Sequence, residues 1–402
     1  MDDPQSQKTS ATTRQRIYGG LALAVVILFL MSVAQFYHRN TGFTALIGFP
    51  RGHESEAPAM RGVPHFDYPP WASYDGQFYA QRALDPLCRD PFTDRAMDLA
   101  PFRARRILFS WTAYALGLGR PAWILEAYAL QNVVCWLLLA WLLTHWIPPV
   151  TARGLALWSA CLLSHGVLWS VRFALLDVPS LVLIACAVRA VEAGRPLLSA
   201  AIVGVAGLGR ETNLLAAAAQ PIPHDRRPST SSGRMVGLSS HRGWMRLGVA
   251  ILLVAIPLLL WGDYLRSIYR STIFAGTDTL ATPGTAIAAR WMQALERLRA
   301  AGLFSAAWLP LALLSSVVVQ GVYVLVRWEY KTPWWRVAVA YVALMLVLDR
   351  VLADPNTGAI TRVLLPLTVG FNILLATELR PVRFWSWFTA GNLHLLSAYG
   401  VM

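Results

Sequence analysis

The sequence predicts an all-α fold, a polytopic bundle of transmembrane helices, and three observations carry that prediction. Of 402 residues, 56% are hydrophobic and only 14% are charged, with a mean hydropathy of +0.46, which is far more apolar than a soluble domain. The apolar residues fall into repeated runs, many of them close to the ~20 residues that cross ~30 Å of hydrocarbon as a helix. Arginine and lysine collect in the short segments between runs, the asymmetry that orients membrane helices. About 9 to 11 membrane helices are expected, some short or broken, with a large first extracytoplasmic loop.

The elements follow in chain order. Residues 1 to 16, MDDPQSQKTSATTRQR, read as a polar cytoplasmic tail, and Ile17 to Phe36 as the first span of a single membrane domain over 17 to 402. No small-residue cleavage site follows that run, so a retained anchor is expected. Further runs lie near 106 to 118, 122 to 146, 152 to 171, 175 to 192, 197 to 219, 246 to 265, 302 to 326, 334 to 350, 360 to 377 and 384 to 401. The run from Arg106 to Leu118, bounded by RARR and GRP, is too short for a full span and reads as an interfacial or partly inserted helix. In the run 197 to 219 the segment GLGRETN puts Arg210 and Glu211 at mid-membrane, which costs several kcal/mol. A kinked helix, or two short ones meeting at a turn, would bring Arg210 to a wet surface.

With the N-terminus in the cytoplasm, 37 to 105 is outside and Arg153, Arg195, Arg327, Lys331, Arg336, Arg380 and Arg383 are inside. The segment 221 to 245 reads as a disordered basic cytoplasmic loop, because PHDRRPSTSSGRMVGLSSHRG is rich in Ser, Gly and Arg and has no apolar periodicity. The outer segment 267 to 301 is the one poor fit, and its stretch ARWMQALERLRA sets Trp291, Leu295 and Leu298 on one face of a surface-lying amphipathic helix. The net charge of +13 is then explained by basic loops beside anionic lipid, and nucleic acid is not required as a partner. Cys88 alone lies outside an apolar run, and no Cys/His metal spacing is present, so neither a structural disulfide nor a metal site is expected.

The first outer loop, 37 to 105, is the only long one. Its eight arginines (39, 51, 61, 82, 89, 95, 103, 105) face eight acids: Glu54, Glu56, Asp67, Asp75, Asp85, Asp90, Asp94 and Asp98. A long, charge-balanced loop dense in Pro and aromatics is expected to fold against the membrane and to carry function. Within it, SYDGQFYAQRALDP places Asp75 and Gly76 among Tyr74, Phe78 and Tyr79, with Asp85 farther on.

These features resemble the GT-C superfamily of integral-membrane glycosyltransferases. The signature Asp75-Gly76-Gln77-Phe78-Tyr79 is similar to the Asp-Gly-x-(Trp/Phe)-Tyr loop motif of bacterial members that resemble GPI mannosyltransferases. RARRILFSWTAYALGLG after the loop, GLGRETNLL at 207 to 215 and TRVLLPL at 361 to 367 are similar to segments of the same superfamily. The acidic pair of the protein O-mannosyltransferase and aminoarabinose-transferase branches is absent, since Gly76 follows Asp75, and no substrate is carried over from those branches. The resemblance implies transfer of a sugar, as by a hexosyl- or mannosyltransferase, from a polyprenyl-phosphate donor to a cell-envelope glycan, lipid or protein acceptor. It implies a site on the extracytoplasmic face of a multi-pass protein of the cytoplasmic (inner) membrane.

Residue chemistry is consistent with that implication. One carboxylate, Asp75, suffices as general base for an inverting displacement. Gly76 permits close backbone approach, Tyr74, Phe78 and Tyr79 offer stacking faces, and Gln77, Asp67 and Asp85 are candidate substrate contacts. A lipid-phosphate leaving group calls for Arg donors, for which Arg105, Arg106, Arg210 and Arg362 are the candidates. No cofactor is required by the sequence, and assistance by a divalent cation is left open. Each residue has a plainer reading beside the functional one. Asp75 suits a helix N-cap, Asp85 before Pro86 a turn, and Asp67 a loop contact. Arg210 could pair with Glu211, Arg362 could anchor a span, and Arg103, Arg105 and Arg106 could anchor the short helix to headgroups. His53, His65 and His165 have no partner spacing. A transporter or flippase for an envelope lipid or polysaccharide, and a noncatalytic envelope assembly protein, are the alternative functions.

Overall fold

The computed structural model describes residues 4 to 52, 57 to 221, 236 to 270, 280 to 302, 305 to 355, 358 to 398 and 401. The described chain is helical almost throughout, its one sheet being a two-residue parallel pairing of Phe49 and Pro50 with Asp67 and Tyr68. Among the described residues four helices are long and apolar enough to cross a bilayer: Arg14–Ala34, Pro121–Leu143, Trp244–Tyr269 and Ala306–Val326. The pair Ala152–Leu162 and His165–Arg172, bent by 42°, makes a fifth if taken as one span. Pro196–Gly207, Pro333–Val347 and Leu365–Leu375 are apolar but shorter.

Exposure separates lipid-type surface from core. On Trp244–Tyr269 the side chains of Ile251, Leu252, Leu259 and Leu260 are all exposed, as are Leu21, Leu23, Ile27, Leu28 and Met31 on the first helix. Apolar helices left uncovered on one side are unfavourable in water and suited to hydrocarbon. Helix starts follow local chemistry: Pro121, Pro196, Pro333 and Pro381 each occupy a first helical turn, where a missing N–H loses nothing. Thr151 caps its helix by accepting from Gly154 N at 3.0 Å. Where helices cross most closely, glycine makes the room. A Cβ on Gly204 would stand 2.2 Å from the Leu253 carbonyl oxygen, so the short helix Pro196–Gly207 rests directly on the long exposed one.

The two irregular runs break as expected, but Arg210 is not carried to an exposed surface: its side chain is 12% exposed and lines a cavity. The run beginning at Arg106 yields only the helix Leu108–Leu116. The run 197 to 219 divides into Pro196–Gly207 and a 3-10 segment Glu211–Ala219, with Arg210 extended between them. The helix Thr285–Ala301 contains the expected amphipathic face, with Trp291, Leu295 and Leu298 half-buried and Glu296, Arg297 and Arg299 exposed. The basic insertion lies outside the described residues as far as 235; from Val236 the chain is already helical, so the helix Val236–Tyr269 claims the end of a stretch expected to be disordered.

The described part of the loop 37 to 105 folds as short helical turns seated on the bundle. It is pinned to Trp244–Tyr269 at three places: Trp261 Nε1 donates to Ala104 O at 2.9 Å, Tyr264 Oη to Leu87 O at 2.7 Å, and Tyr269 Oη to Asp94 Oδ1 at 2.8 Å. Arg82, fully buried, ties the same region together by pairing with Asp85 at 3.1 Å and Asp94 at 2.5 Å.

Candidate functional site

The helix Gly76–Leu84 carries the aspartate motif at its start. Gly76 is required by space and not by backbone angle: a Cβ there would lie 2.0 Å from Phe173 O and 2.9 Å from Ile47 O. The helix start therefore abuts two other backbone segments. Asp75 occupies the cap position, yet its side chain makes no cap hydrogen bond. Its carboxylate instead accepts from Arg103 Nη2 at 2.9 Å, which removes the helix-cap reading of this residue.

Arg103 is the hub of the polar wall. It also forms a forked pair with Asp98, at 2.9 Å through Nε and 2.7 Å through Nη2, and donates to Tyr79 Oη at 3.1 Å. Its guanidinium stands 4.8 Å from the Phe78 ring centroid, a stacking contact that fixes the planar head. Burial pushes the Asp75 carboxyl up, but the charge and hydrogen bond of Arg103, with Arg362 and Arg106 farther off, outweigh it and hold the carboxyl below its ordinary value of 3.8. The Asp75 side chain still presents 42% of its surface, and it lines a cavity, so the carboxylate is ionised and reachable.

That cavity has a volume of about 450 Å³. Asp75, Tyr79, Arg103, Arg105, Arg106, Asp177, Arg210, Glu211 and Arg362 make its polar side, and Leu280, Leu344, Leu348, Val351 and Leu352 an apolar side. The backbone bridge between Leu280 and Leu348, continued by Ala281 N to Val347 O at 2.8 Å, holds the apolar side together.

Segments far apart in sequence are brought together by specific contacts. Leu108 N donates to Leu208 O at 3.1 Å, which joins the RARR turn to the break holding Arg210. Gly166 packs so closely on the turn containing Arg362 that a Cβ would lie 2.5 Å from Thr361 O, and His165 Nδ1 reaches Thr361 Oγ1 at 3.0 Å. Tyr74 is wedged beside Phe173, ring centroids 4.8 Å apart, and its hydroxyl accepts from Arg362 Nη2 at 2.9 Å.

The sequence-based candidates divide accordingly. Asp75, Tyr79, Arg105, Arg106, Arg210 and Arg362 line one cavity. Tyr74 and Phe78 sit behind it, holding Arg362 and Arg103, and Gly76 and Gln77 are buried in the helix start. Asp85 accepts from Arg89 N at 3.0 Å and Asp90 N at 3.1 Å and pairs with Arg82, all contacts of a turn. Asp67 pairs with His65 at 3.1 Å, and neither Asp67 nor Asp85 is among the cavity residues. His53, Glu54 and Glu56 lie outside the described residues.

One pairing expected from the sequence is overturned. Arg210 does not pair with its neighbour Glu211 but with Asp177 Oδ1, while Glu211 faces Arg106 at 2.9 Å and Arg105 at 3.4 Å. Arg362 Nη1 takes the other oxygen of Asp177 at 3.1 Å. Asp177 is not among the candidates, although a charge in an otherwise apolar run is the signal that singles out Arg210. Arg103 is grouped in the sequence with Arg105 and Arg106 beside the short helix, and its pairing with Asp75 and Asp98 emerges only in the structure. Among the described residues no three His, Cys, Asp or Glu side chains converge as a metal-binding group. No family model, characterised protein or solved structure matches the chain.

Proposed function

We propose that the chain is a polytopic membrane glycosyltransferase of the GT-C type, with its outer loop and cavity on the extracytoplasmic face of the cytoplasmic membrane. The observation that carries this reading is the convergence of the Asp75 carboxylate, the most exposed acid of the cavity, and five arginines in a cavity whose other side is apolar. A polyprenyl-phosphate sugar has the matching parts: an anion, a polar ring and a hydrocarbon tail.

In the proposed reaction the acceptor hydroxyl oxygen forms the bond to the anomeric carbon while the bond from that carbon to the phosphate oxygen breaks. The electron pair leaves on the phosphate, and the hydroxyl proton passes to Asp75 and then to solvent. Asp75 is held as the anion by Arg103, so it is always ready to accept, though it is a weak base. Weakness is tolerable when bond breaking runs ahead of bond making, because the hydroxyl becomes strongly acidic only as it meets an oxocarbenium-like centre. The arginines stabilise the charge that develops on the leaving phosphate.

A transporter would be favoured by charged pairs deep inside spans. The deeply buried charged group of Asp177 with Arg210 and Arg362 sits on the wall of this cavity, whereas Thr368 with Gln320 at 2.9 Å and Asn372 with Asn392 at 3.2 Å, farther into the bundle, are neutral, so these charges gather at a single site, which supports the enzymatic reading. Purified protein incubated with labelled polyprenyl-phosphate sugars and envelope acceptors is expected to transfer sugar and release lipid phosphate in equal amounts. Movement of intact lipid across a vesicle membrane without either product would refute it.

A further inference from the structure

Asp177 is the most deeply buried acid of the cavity, its side chain only 2% exposed. It begins the helix Asp177–Glu192, and the turn before it is rigid: Asn132 Nδ2 donates to Leu175 O at 2.8 Å and Val178 N to Ser170 Oγ at 3.1 Å. One carboxylate oxygen is bound by Arg210 and the other by Arg362. A single negative charge thus joins two arginines from segments about 150 residues apart, and Arg362 passes the arrangement on to Tyr74, next to Asp75.

The charges can be counted pair by pair. Arg103 holds Asp75 and Asp98, Arg105 and Arg106 share Glu211, and Arg210 and Arg362 share Asp177. Asp98 is not a cavity residue, but its forked pair with Arg103 sets it directly behind the wall, so it is counted with that arginine: five guanidinium groups against four carboxylates leave one positive charge. In the proposed reaction the donor is a phosphodiester with one negative charge, and the product left behind is a phosphomonoester that approaches two at neutral pH, its second pKa being about 6. A site with two net positive charges would hold that product more tightly than the donor.

Resting on the glycosyltransferase reading, we infer that Asp177 is a specificity-determining residue that cancels one of the charges of Arg210 and Arg362, so that the cavity suits a singly charged phosphodiester and does not retain the doubly charged phosphomonoester. It acts through the two arginines and touches neither substrate nor product. Asp177→Asn keeps the shape and part of the hydrogen bonding but adds one net positive charge. In that variant phosphomonoester binding rises, turnover falls because release slows, and KM for the donor changes little.

The test is binding to the full-length protein in detergent at pH 7.5, using farnesyl phosphate as the monoester and its methyl ester as the diester. Wild type is expected to bind the two within about threefold of each other. Asp177→Asn should favour the monoester by tenfold or more, and Asp177→Glu, which keeps the charge, should return the ratio to within about threefold. A purely structural role would weaken both ligands together in Asp177→Asn, and that result overturns the inference while leaving a lipid-phosphate site in place. A wild-type preference for the monoester above tenfold overturns it as well and needs no variant, so the test survives a variant that fails to fold. If wild type binds neither ligand, the lipid-phosphate reading of the cavity fails, and the inference fails with it.

Discussion

On the proposed glycosyltransferase reading, Gly76→Ala, which adds one carbon atom to the protein, is expected to abolish most of the sugar transfer. The new Cβ would lie 2.0 Å from Phe173 O and 2.9 Å from Ile47 O. Reaching even 3.0 Å forces the helix start away from Phe173 by about 1 Å, because both obstacles are backbone and cannot rotate aside. Two opposing effects bear on stability. Alanine improves helix propensity by up to ~1 kcal/mol, whereas overpacking costs ~1 to 3 kcal/mol, so the net loss is about 0 to 3 kcal/mol, small enough for the protein to fold. Catalysis is far more sensitive, since a displacement of ~1 Å can cost about 100-fold, and Asp75 is the residue next to the clash. The assay is the initial rate of labelled-sugar transfer by purified Gly76→Ala, with Gly262→Ala as control, because a Cβ at Gly262 meets nothing within 4 Å. A rate for Gly76→Ala within threefold of wild type would refute the claim that this contact sets the position of Asp75.

Two further outcomes are expected at the same carboxylate. Asp75→Asn should lose about 100-fold or more in turnover, the usual contribution of a positioned base, while Asp85→Asn, a turn residue, should lose only about 1 kcal/mol of stability; parallel turnover and thermal melts separate the two. Arg103→Gln tests the electrostatics. Because the Asp75 carboxyl is held below 3.8, its ionised form, and the stability that comes with pairing, are complete above the ordinary value and are lost only as pH falls through the lowered one. Without Arg103 burial acts with less opposition, so the acid limb of the pH-rate profile should move upward; an unmoved limb would show that Asp75 is not the titrating group.

The all-helical class was legible before any coordinates, but run length overstated the spans: against 9 to 11 expected, four described helices, or five with the bent pair, are long and apolar enough to cross a bilayer. Pro121–Leu143 and the break at Arg210 follow from hydropathy and from the expense of a mid-membrane charge. The gathering of Asp75, Arg210 and Arg362 followed from the resemblance and the assumed sidedness, and all three line one cavity. What the sequence did not reveal was which charges pair. Adjacent Arg210 and Glu211 looked like partners, but the extended backbone of Arg210 turns successive side chains opposite ways, which delivers them to Asp177 and to the RARR turn. Nor could the role of Tyr74 and Phe78 be read from composition, because an aromatic ring that braces an arginine is spelled the same way as one that stacks on a sugar.

The three bonds from Trp261, Tyr264 and Tyr269 have a mechanical implication. They fasten the loop bearing Arg103 to the helix with the most uncovered apolar surface. A helix in that position answers to the thickness of the surrounding bilayer by tilting, and any tilt is delivered through Trp261 to the Ala104 carbonyl, between the arginines that grip Asp75 and Glu211. Acyl-chain length is therefore expected to act on the arginine wall, and rates that differ between short-chain and long-chain lipids, with protein, substrate and pH unchanged, would be its sign; equal rates would refute it.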